Sequence, residues 1–191
     1  MTLKKKILLL VVFVMSLSLF LFGCGEKSNV KVEVQSPEEA ARMEGDPIQN
    51  LAIKEKEWLG RLDAVREDIK NSYTAWEQEK ATKEEFIQQL DGSMDQVKGI
   101  KKDYDLHMEV NPFPADKENE EVYKDGLAYG KKLRTNVNNF IFMVTDGIMD
   151  AETNKLKPLT DEQIKDLYQN YMVEKYDQYK SKLEPALESA K

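Results

Sequence analysis

The chain has 191 residues, with 28 Lys and Arg against 35 Asp and Glu and a formal net charge of −7. This acidic balance argues against nucleic acid as a partner, because nucleic-acid binding depends on phosphate neutralisation by Lys and Arg. A single cysteine excludes a disulfide framework, and a single histidine argues against a zinc site or a catalytic triad.

The first 23 residues have the pattern of a targeting segment. Lysines 4–6 precede an apolar stretch over residues 7–22. That stretch is short for a membrane span, which needs roughly 20 apolar residues. A basic start followed by a short apolar run is typical of a signal peptide, which is set aside before the fold is considered. The run ends in Leu21-Phe22-Gly23-Cys24.

These four residues resemble the lipobox of bacterial lipoproteins. The resemblance implies that a diacylglyceryl group is attached to the sulfur of Cys24 and that a peptidase cuts between Gly23 and Cys24. Phe22 departs from the pattern, where a smaller residue is usual. Gly25 stands where an Asp would resemble an inner-membrane retention signal, which favours a Gram-positive, single-membrane source. The alternative is an ordinary signal peptide or an uncleaved helix with a chance cysteine.

Lipidation predicts an address on the extracytoplasmic face of the cell membrane. Two acyl chains on Cys24, palmitate among them, would hold the protein stably, whereas one chain binds weakly. Loss of the three N-terminal lysines leaves 25 basic against 35 acidic residues, a net charge of −10. A domain of this charge should be repelled by anionic lipid heads and by polyanions in general, and should stand off the membrane or meet a cationic partner.

Residues 24–35 read as a short tether, and residues 36–191 read as a helical domain. Ser36-Pro37-Glu38-Glu39 predicts a capped helix start, and Gly45 predicts the end of that short helix. Asp46-Pro47 restarts the helix. A coiled-coil-like seam follows at spacings of three, four and seven, formed by Ile48, Leu51, Trp58, Leu62, Val65, Ile69 and Trp76.

Three further long helices are predicted. Thr82 and Thr160 open capping boxes, Asn111-Pro112 ends the second long helix, and the third is predicted to extend from Tyr123 to Ile148. The pattern predicts an all-α fold, an elongated antiparallel bundle of about four long helices. The alternative is a coiled-coil hairpin pair that completes its core only as a homo-oligomer, since a narrow apolar seam needs a partner to cover it.

Single residues of the types that carry chemistry have simpler explanations. His107 is expected to be a surface residue favoured by the C-terminal dipole of its helix. Residues 150–161 resemble a calcium loop, but Lys155 stands where the sharp turn requires Gly. We therefore predict no metal, no cofactor and no catalytic residue.

Two clusters remain as possible binding residues. Tyr171 and Tyr176 belong to a tyrosine stripe that we interpret as core or interface, with a glycan or peptide groove as the alternative. Gly126 and Gly130 predict a close helix crossing, because each glycine costs about 1 kcal/mol in a helix. A polar cluster follows: Arg134, Asn136, Asn138 and Asn139. Its side chains either face solvent or form a buried polar network, with Asn138 or Asn139 pointing inward.

The leading functional hypothesis is a non-enzymatic, membrane-anchored lipoprotein that binds a protein or a cell-wall component. It resembles the small helical lipoproteins of Gram-positive bacteria only at the level of class. One alternative is a surface exclusion or immunity-type lipoprotein acting on a membrane partner. Another is an accessory subunit of an envelope enzyme, which would need a pocket with perturbed titratable groups.

Overall fold

The computed structural model describes residues 36–190. The predicted signal peptide, the tether, Gly23 and Cys24 lie outside the described residues. Helices account for most of the described part, so the all-α fold class is confirmed. The helices are α1 (Pro37–Ala41), α2 (Pro47–Glu77), α3 (Lys83–Val110), α4 (Leu127–Asp146), α5 (Asp161–Leu167) and α6 (Tyr176–Glu188).

Local sequence decides where the helices begin. At α1, the Ser36 hydroxyl accepts from the Glu39 backbone N–H at 3.2 Å, and the Glu39 carboxylate accepts from the Ser36 N–H at 3.0 Å. Equivalent capping boxes at Thr82 and Thr160 open α3 and α5. α1 ends at Ala41, four residues before Gly45, so its predicted end was too late.

The long helices bury their apolar seams against one another. α2 packs on α3, α3 packs on α4, and α4 packs on α6. The α2 residues predicted as a seam from Ile48 to Ile69 are all buried, and they share a core with Phe86, Phe140 and Tyr176. The apolar face of α2 is therefore covered within the same chain.

A short β-hairpin joins α4 to α5 in the region that resembles a calcium loop in the sequence. β1 (Ile148–Met149) pairs antiparallel with β2 (Leu156–Lys157). α4 ends at Asp146, so the predicted third helix was too long by two residues. Gly147 ends it with φ +93°, and a Cβ there would lie 2.3 Å from the Lys157 carbonyl oxygen. Only glycine fits this junction.

Two π-helical segments interrupt the regular helices. Val122–Gly126 precedes α4, and Tyr168–Lys175 connects α5 to α6. A 3₁₀ turn, Ala115–Lys117, follows the proline-rich end of α3. Within residues 36–190, no helix combines the length and the apolar character needed to cross a bilayer.

Candidate binding surface along helix α4

One face of α4 carries basic and uncharged side chains in a chain that is otherwise acidic. The side chains recur every three or four residues and are exposed or half-buried. We call this face the α4 ridge; it comprises Ala128, Lys131, Lys132, Thr135, Asn138, Asn139 and Phe142. The distance along the helix from Ala128 to Phe142 is about 21 Å at 1.5 Å per residue. No Asp or Glu occurs from Gly126 to Thr145.

A groove lies on each side of the ridge. The first, between α3 and α4, has a volume of about 420 Å³ and is lined by Val97, Lys98, Lys101, Tyr104, Asp105, Lys131, Arg134, Thr135 and Asn138. We call it the α3 groove. The second has a volume of about 440 Å³ and is lined by Ala128, Lys131, Lys132, Thr135, Asn136, Asn139, Tyr171, Lys175 and Tyr179. We call it the tyrosine groove. Lys131 and Thr135 line both, so the two grooves adjoin across the ridge.

The lysines of the two grooves differ in their partners. In the α3 groove, Lys101 pairs with Asp105 one turn along the helix, and Lys98 lies 4.0 Å from Asp95. Among the residues that the structure describes, Lys131, Lys132 and Lys175 have no carboxylate within that distance. The tyrosine groove and the ridge therefore carry uncompensated positive charge.

Aromatic rings support two of these lysines. The Lys132 ammonium lies 4.5 Å from the Tyr129 ring centroid and 5.9 Å from that of Tyr179. The Lys175 ammonium lies 4.3 Å from the centre of Tyr171. Such cation–π contacts are worth about 0.5–1 kcal/mol at exposed sites. They hold the ammonium groups beside the rings without neutralising them.

A buried ion pair underlies the ridge. Arg134 donates to both carboxylate oxygens of Glu55 on α2, at 2.9 and 3.2 Å. The side chains of Arg134 and Glu55 are 8% and 1% exposed. The guanidinium also lies 4.2 Å from the centre of Tyr104. This fork fixes the register of α4 against α2 and α3, since a bidentate pair admits one geometry.

Gly130 makes room for that ion pair. A Cβ at this position would lie 2.4 Å from Glu55 Oε2, so no other residue fits without moving the carboxylate. Gly126, one turn earlier, lies against Leu187 of α6, which a Cβ would approach to 3.5 Å. The close crossings predicted from the two glycines are therefore present, and a carboxylate occupies one of them.

Burial sets the electrostatics of this layer. Desolvation raises the pKa of Glu55 above its ordinary value, while the Arg134 charge acts in the opposite direction. Desolvation also raises the pKa of Tyr104 above its ordinary value. The ion pair is thus costly to hold in the interior, and its geometry supports the surface above it.

The π-helical segment presents Tyr171 and Lys175 to the tyrosine groove. The wide turns of a π-helix displace the regular helical hydrogen bonds. Two side chains from other helices donate hydrogen bonds to backbone carbonyls of this segment. Asn136 of α4 donates its amide to the Tyr171 carbonyl, and Arg66 Nε donates to the Met172 carbonyl at 2.7 Å. The position of the groove wall is therefore set by α2 and α4.

His107 is buried, and the prediction of a surface position is wrong. Its ring packs edge-on against Trp58, with centroids 5.6 Å apart. Asn111 Nδ2 lies 3.1 Å from His107 Nδ1 and donates to the His107 carbonyl at 3.0 Å. Asn111 also holds α1, accepting from the Met43 N–H and donating to the Ala41 carbonyl, both at 2.9 Å.

The predicted binding residues divide into two groups. Tyr171 lines the tyrosine groove, and Arg134 and Asn138 line the α3 groove. Tyr176 lies elsewhere: it is fully buried and donates its hydroxyl to Asp63 at 3.0 Å, so it belongs to the core. The expectation that Asn138 or Asn139 points inward is wrong.

Asn136 is the inward residue of the polar cluster. It is 4% exposed, Asn138 is half-buried and Asn139 is exposed. A step of two residues along a helix turns a side chain by more than half a revolution. Asn136 points inward because its amide donates to the carbonyl of Tyr171. Tyr171 lies in the second π-helical segment, and the sequence pattern did not predict that conformation.

The calcium-like loop forms the hairpin turn. Asp150 Oδ1 accepts from the backbone N–H groups of Glu152 and Thr153 at 3.1 and 2.8 Å, and these contacts lower the pKa of Asp150. One oxygen of its carboxylate, Oδ1, therefore serves the turn itself. In the described residues, no group of three or more His, Cys, Asp or Glu side chains is placed to hold a metal.

Two sequence signals could have revealed the site. Glu55 falls between Leu51 and Trp58 at spacings of four and three, so it occupies a seam position where a charge needs a buried partner. The second signal is the run from Gly126 to Thr145 without an acidic residue.

Comparison with models of protein families, with curated proteins and with solved structures finds no match to this chain.

Proposed function

We propose that this protein is a membrane-anchored, extracytoplasmic lipoprotein that binds a partner at the cell envelope without catalysing a reaction, and that the α4 ridge is its contact surface. The anchor would be the lipid on Cys24. The domain would act as an antiparallel bundle of four long helices that carries the ridge. One observation carries the proposal: two adjoining grooves share a ridge of uncompensated lysines.

The layers beneath the ridge support a binding role. Helical residues position every polar group of the ridge, and the Glu55–Arg134 pair and the Asn136–Tyr171 contact fix the helices that carry them. A surface held in this way loses little conformational entropy when a partner binds. Ammonium, amide, hydroxyl and phenol groups are suited to holding a ligand by charge and hydrogen bonding.

Site-specific photo-crosslinking of the full chain in intact cells tests the proposal. A photoreactive residue at Thr135, which lines both grooves, should capture an envelope macromolecule. The same group at Lys70, an exposed α2 position outside both grooves, is the control. Capture from Thr135 alone supports the proposal. Equal capture at both positions, or none at Thr135, contradicts it.

A further inference from the structure

The charge of the α4 ridge is opposite in sign to that of the domain that carries it. The overall balance of 25 basic against 35 acidic residues after the predicted cleavage disfavours polyanions. Screening limits that disadvantage, because the Debye length is about 8 Å at physiological ionic strength. A ligand on the ridge therefore responds mainly to Lys131, Lys132 and Lys175.

Two of the three cations that line the tyrosine groove, Lys132 and Lys175, lie next to a ring. Lys175 sits 4.3 Å from the centre of Tyr171, and Lys132 contacts Tyr129 and Tyr179. A matching ligand would carry an anion directly beside a flat, weakly polar face. Acidic sugars have this arrangement, because the carboxylate carbon is bonded to the ring itself. An acidic polypeptide carries its carboxylates on flexible side chains with no such face.

Hydroxyl and amide groups complete the match to a sugar. Thr135, Asn138 and Asn139 lie along the ridge between the two grooves and can donate to or accept from ring hydroxyls. The grooves are open and adjoin along a ridge of about 21 Å. An open surface of this length suits a segment of a polymer better than a small molecule enclosed in a pocket.

From these features we infer that the α4 ridge binds an acidic polysaccharide, with Lys131, Lys132 and Lys175 holding its carboxylates and Tyr171 and Tyr179 holding its ring faces. The inference rests on the proposed function and deepens it by naming the ligand class. The occupant is a glycan of the cell wall, and the neighbouring anionic lipid surface is not required.

Isothermal titration of the full-length protein in neutral detergent tests the inference with three polymers. Polygalacturonate supplies rings and carboxylates, dextran supplies uncharged rings, and polyglutamate supplies carboxylates without rings. We expect polygalacturonate to bind most tightly and its affinity to fall as salt is raised. Binding of polyglutamate that equals or exceeds that of polygalacturonate overturns the inference in favour of an acidic polypeptide. Absence of polygalacturonate binding at low salt also overturns it.

A charge-matched pair of variants locates the binding. The triple variant K131Q/K132Q/K175Q should bind polygalacturonate about tenfold more weakly, a change of about 1.4 kcal/mol. The control removes three exposed lysines outside the grooves: Lys70→Gln, Lys80→Gln and Lys182→Gln. The control has the same net charge as the triple variant, but its three substitutions lie outside the grooves, so its affinity should stay near that of the parent. Equal losses in both variants would reduce the effect to bulk charge and overturn the inference.

The rings are tested separately. The double variant Tyr171→Leu/Tyr179→Leu should bind polygalacturonate more weakly than the parent, while its weak binding of polyglutamate should be unchanged. An unaltered polygalacturonate affinity contradicts the assigned role of the rings. If polygalacturonate fails to bind while Thr135 still captures a protein in cells, the glycan inference falls and the proposed function stands.

Discussion

Gly130 and Glu55 occupy one space between α4 and α2. A Cβ on Gly130 would lie 2.4 Å from Glu55 Oε2, inside the contact distance of any two heavy atoms. The carboxylate cannot retreat freely, because Arg134 holds both of its oxygens. A glycine in mid-helix is thus explained by an ion pair that belongs to another helix.

Gly130→Ala should destabilise the protein even though alanine favours helix. The helix gains about 1 kcal/mol from the substitution. Displacing Glu55 from Arg134 costs more, since a broken buried pair costs about 3–5 kcal/mol. We expect a net loss of about 2 kcal/mol in urea unfolding. Gly92→Ala is the matched control, because nothing lies within 4 Å of a Cβ there; it should stabilise slightly. A stabilised Gly130→Ala variant would contradict this account.

The Glu55–Arg134 pair should behave as one unit in a double-mutant cycle. Glu55→Met or Arg134→Met alone leaves a buried charge without its partner and should cost about 3–5 kcal/mol. The double variant removes both charges and fills the space with apolar atoms, so its stability should lie close to that of the parent. Additive losses would show that the two side chains act independently.

His107 should make stability depend on pH. Burial lowers the pKa of His107, with Lys54 acting in the same direction and Glu57 opposing. The unfolded chain, with a histidine pKa of about 6.5, then binds the proton more readily than the folded chain. The stability contributed by the neutral ring is therefore complete above the pKa of the unfolded chain. As pH falls below that pKa, the free energy of unfolding decreases by at most about 1.4 kcal/mol per pH unit.

Urea unfolding between about pH 7.5 and pH 5.5, the range in which histidine titrates, measures this effect. His107 is the only histidine, so no other imidazole contributes. His107→Gln keeps a polar side chain and removes the titration, and its stability should vary less over the same range. Identical pH profiles for the two proteins would show that His107 does not cause the dependence.

The loss of stability on substitution should distinguish the core tyrosine from the surface tyrosine of the stripe. Tyr176 is fully buried, with its hydroxyl on Asp63 and the Arg66 guanidinium 4.4 Å from its ring centre. Tyr176→Ala should cost about 3–5 kcal/mol, as is usual for a large buried aromatic residue. Tyr171→Ala, in the groove wall, should change stability by less than about 1 kcal/mol. Comparable losses in thermal unfolding would place both residues in the core.

Cys24→Ser tests the predicted anchor. The acidic domain should not adhere to anionic lipid, so lipid on Cys24 would supply the attachment. The variant should leave washed membranes or accumulate as an unprocessed precursor. Fractionation followed by mass measurement distinguishes these results from the parent. Full membrane retention at mature size would show that attachment does not depend on this cysteine.

Local signals predicted the helices better than the site. Helix boundaries are set by contacts within four residues, so the sequence alone places them. Capping boxes mark the helix starts at Ser36, Thr82 and Thr160, Pro47 marks another start, and Pro112 marks an end. The hairpin was missed because two-residue strands are too short to show an alternating pattern. The inward position of Asn136 and the buried charge of Glu55 were missed because their partners lie 35 and 79 positions away in the chain.

The three capping boxes also bear on how the chain reaches its native state. Each is complete within four consecutive residues, so a helix can nucleate before distant parts of the chain meet. Chains dominated by such local contacts fold in microseconds to milliseconds. A chain exported through the proposed signal peptide would then form its capped helices soon after emerging, without waiting for thiol oxidation.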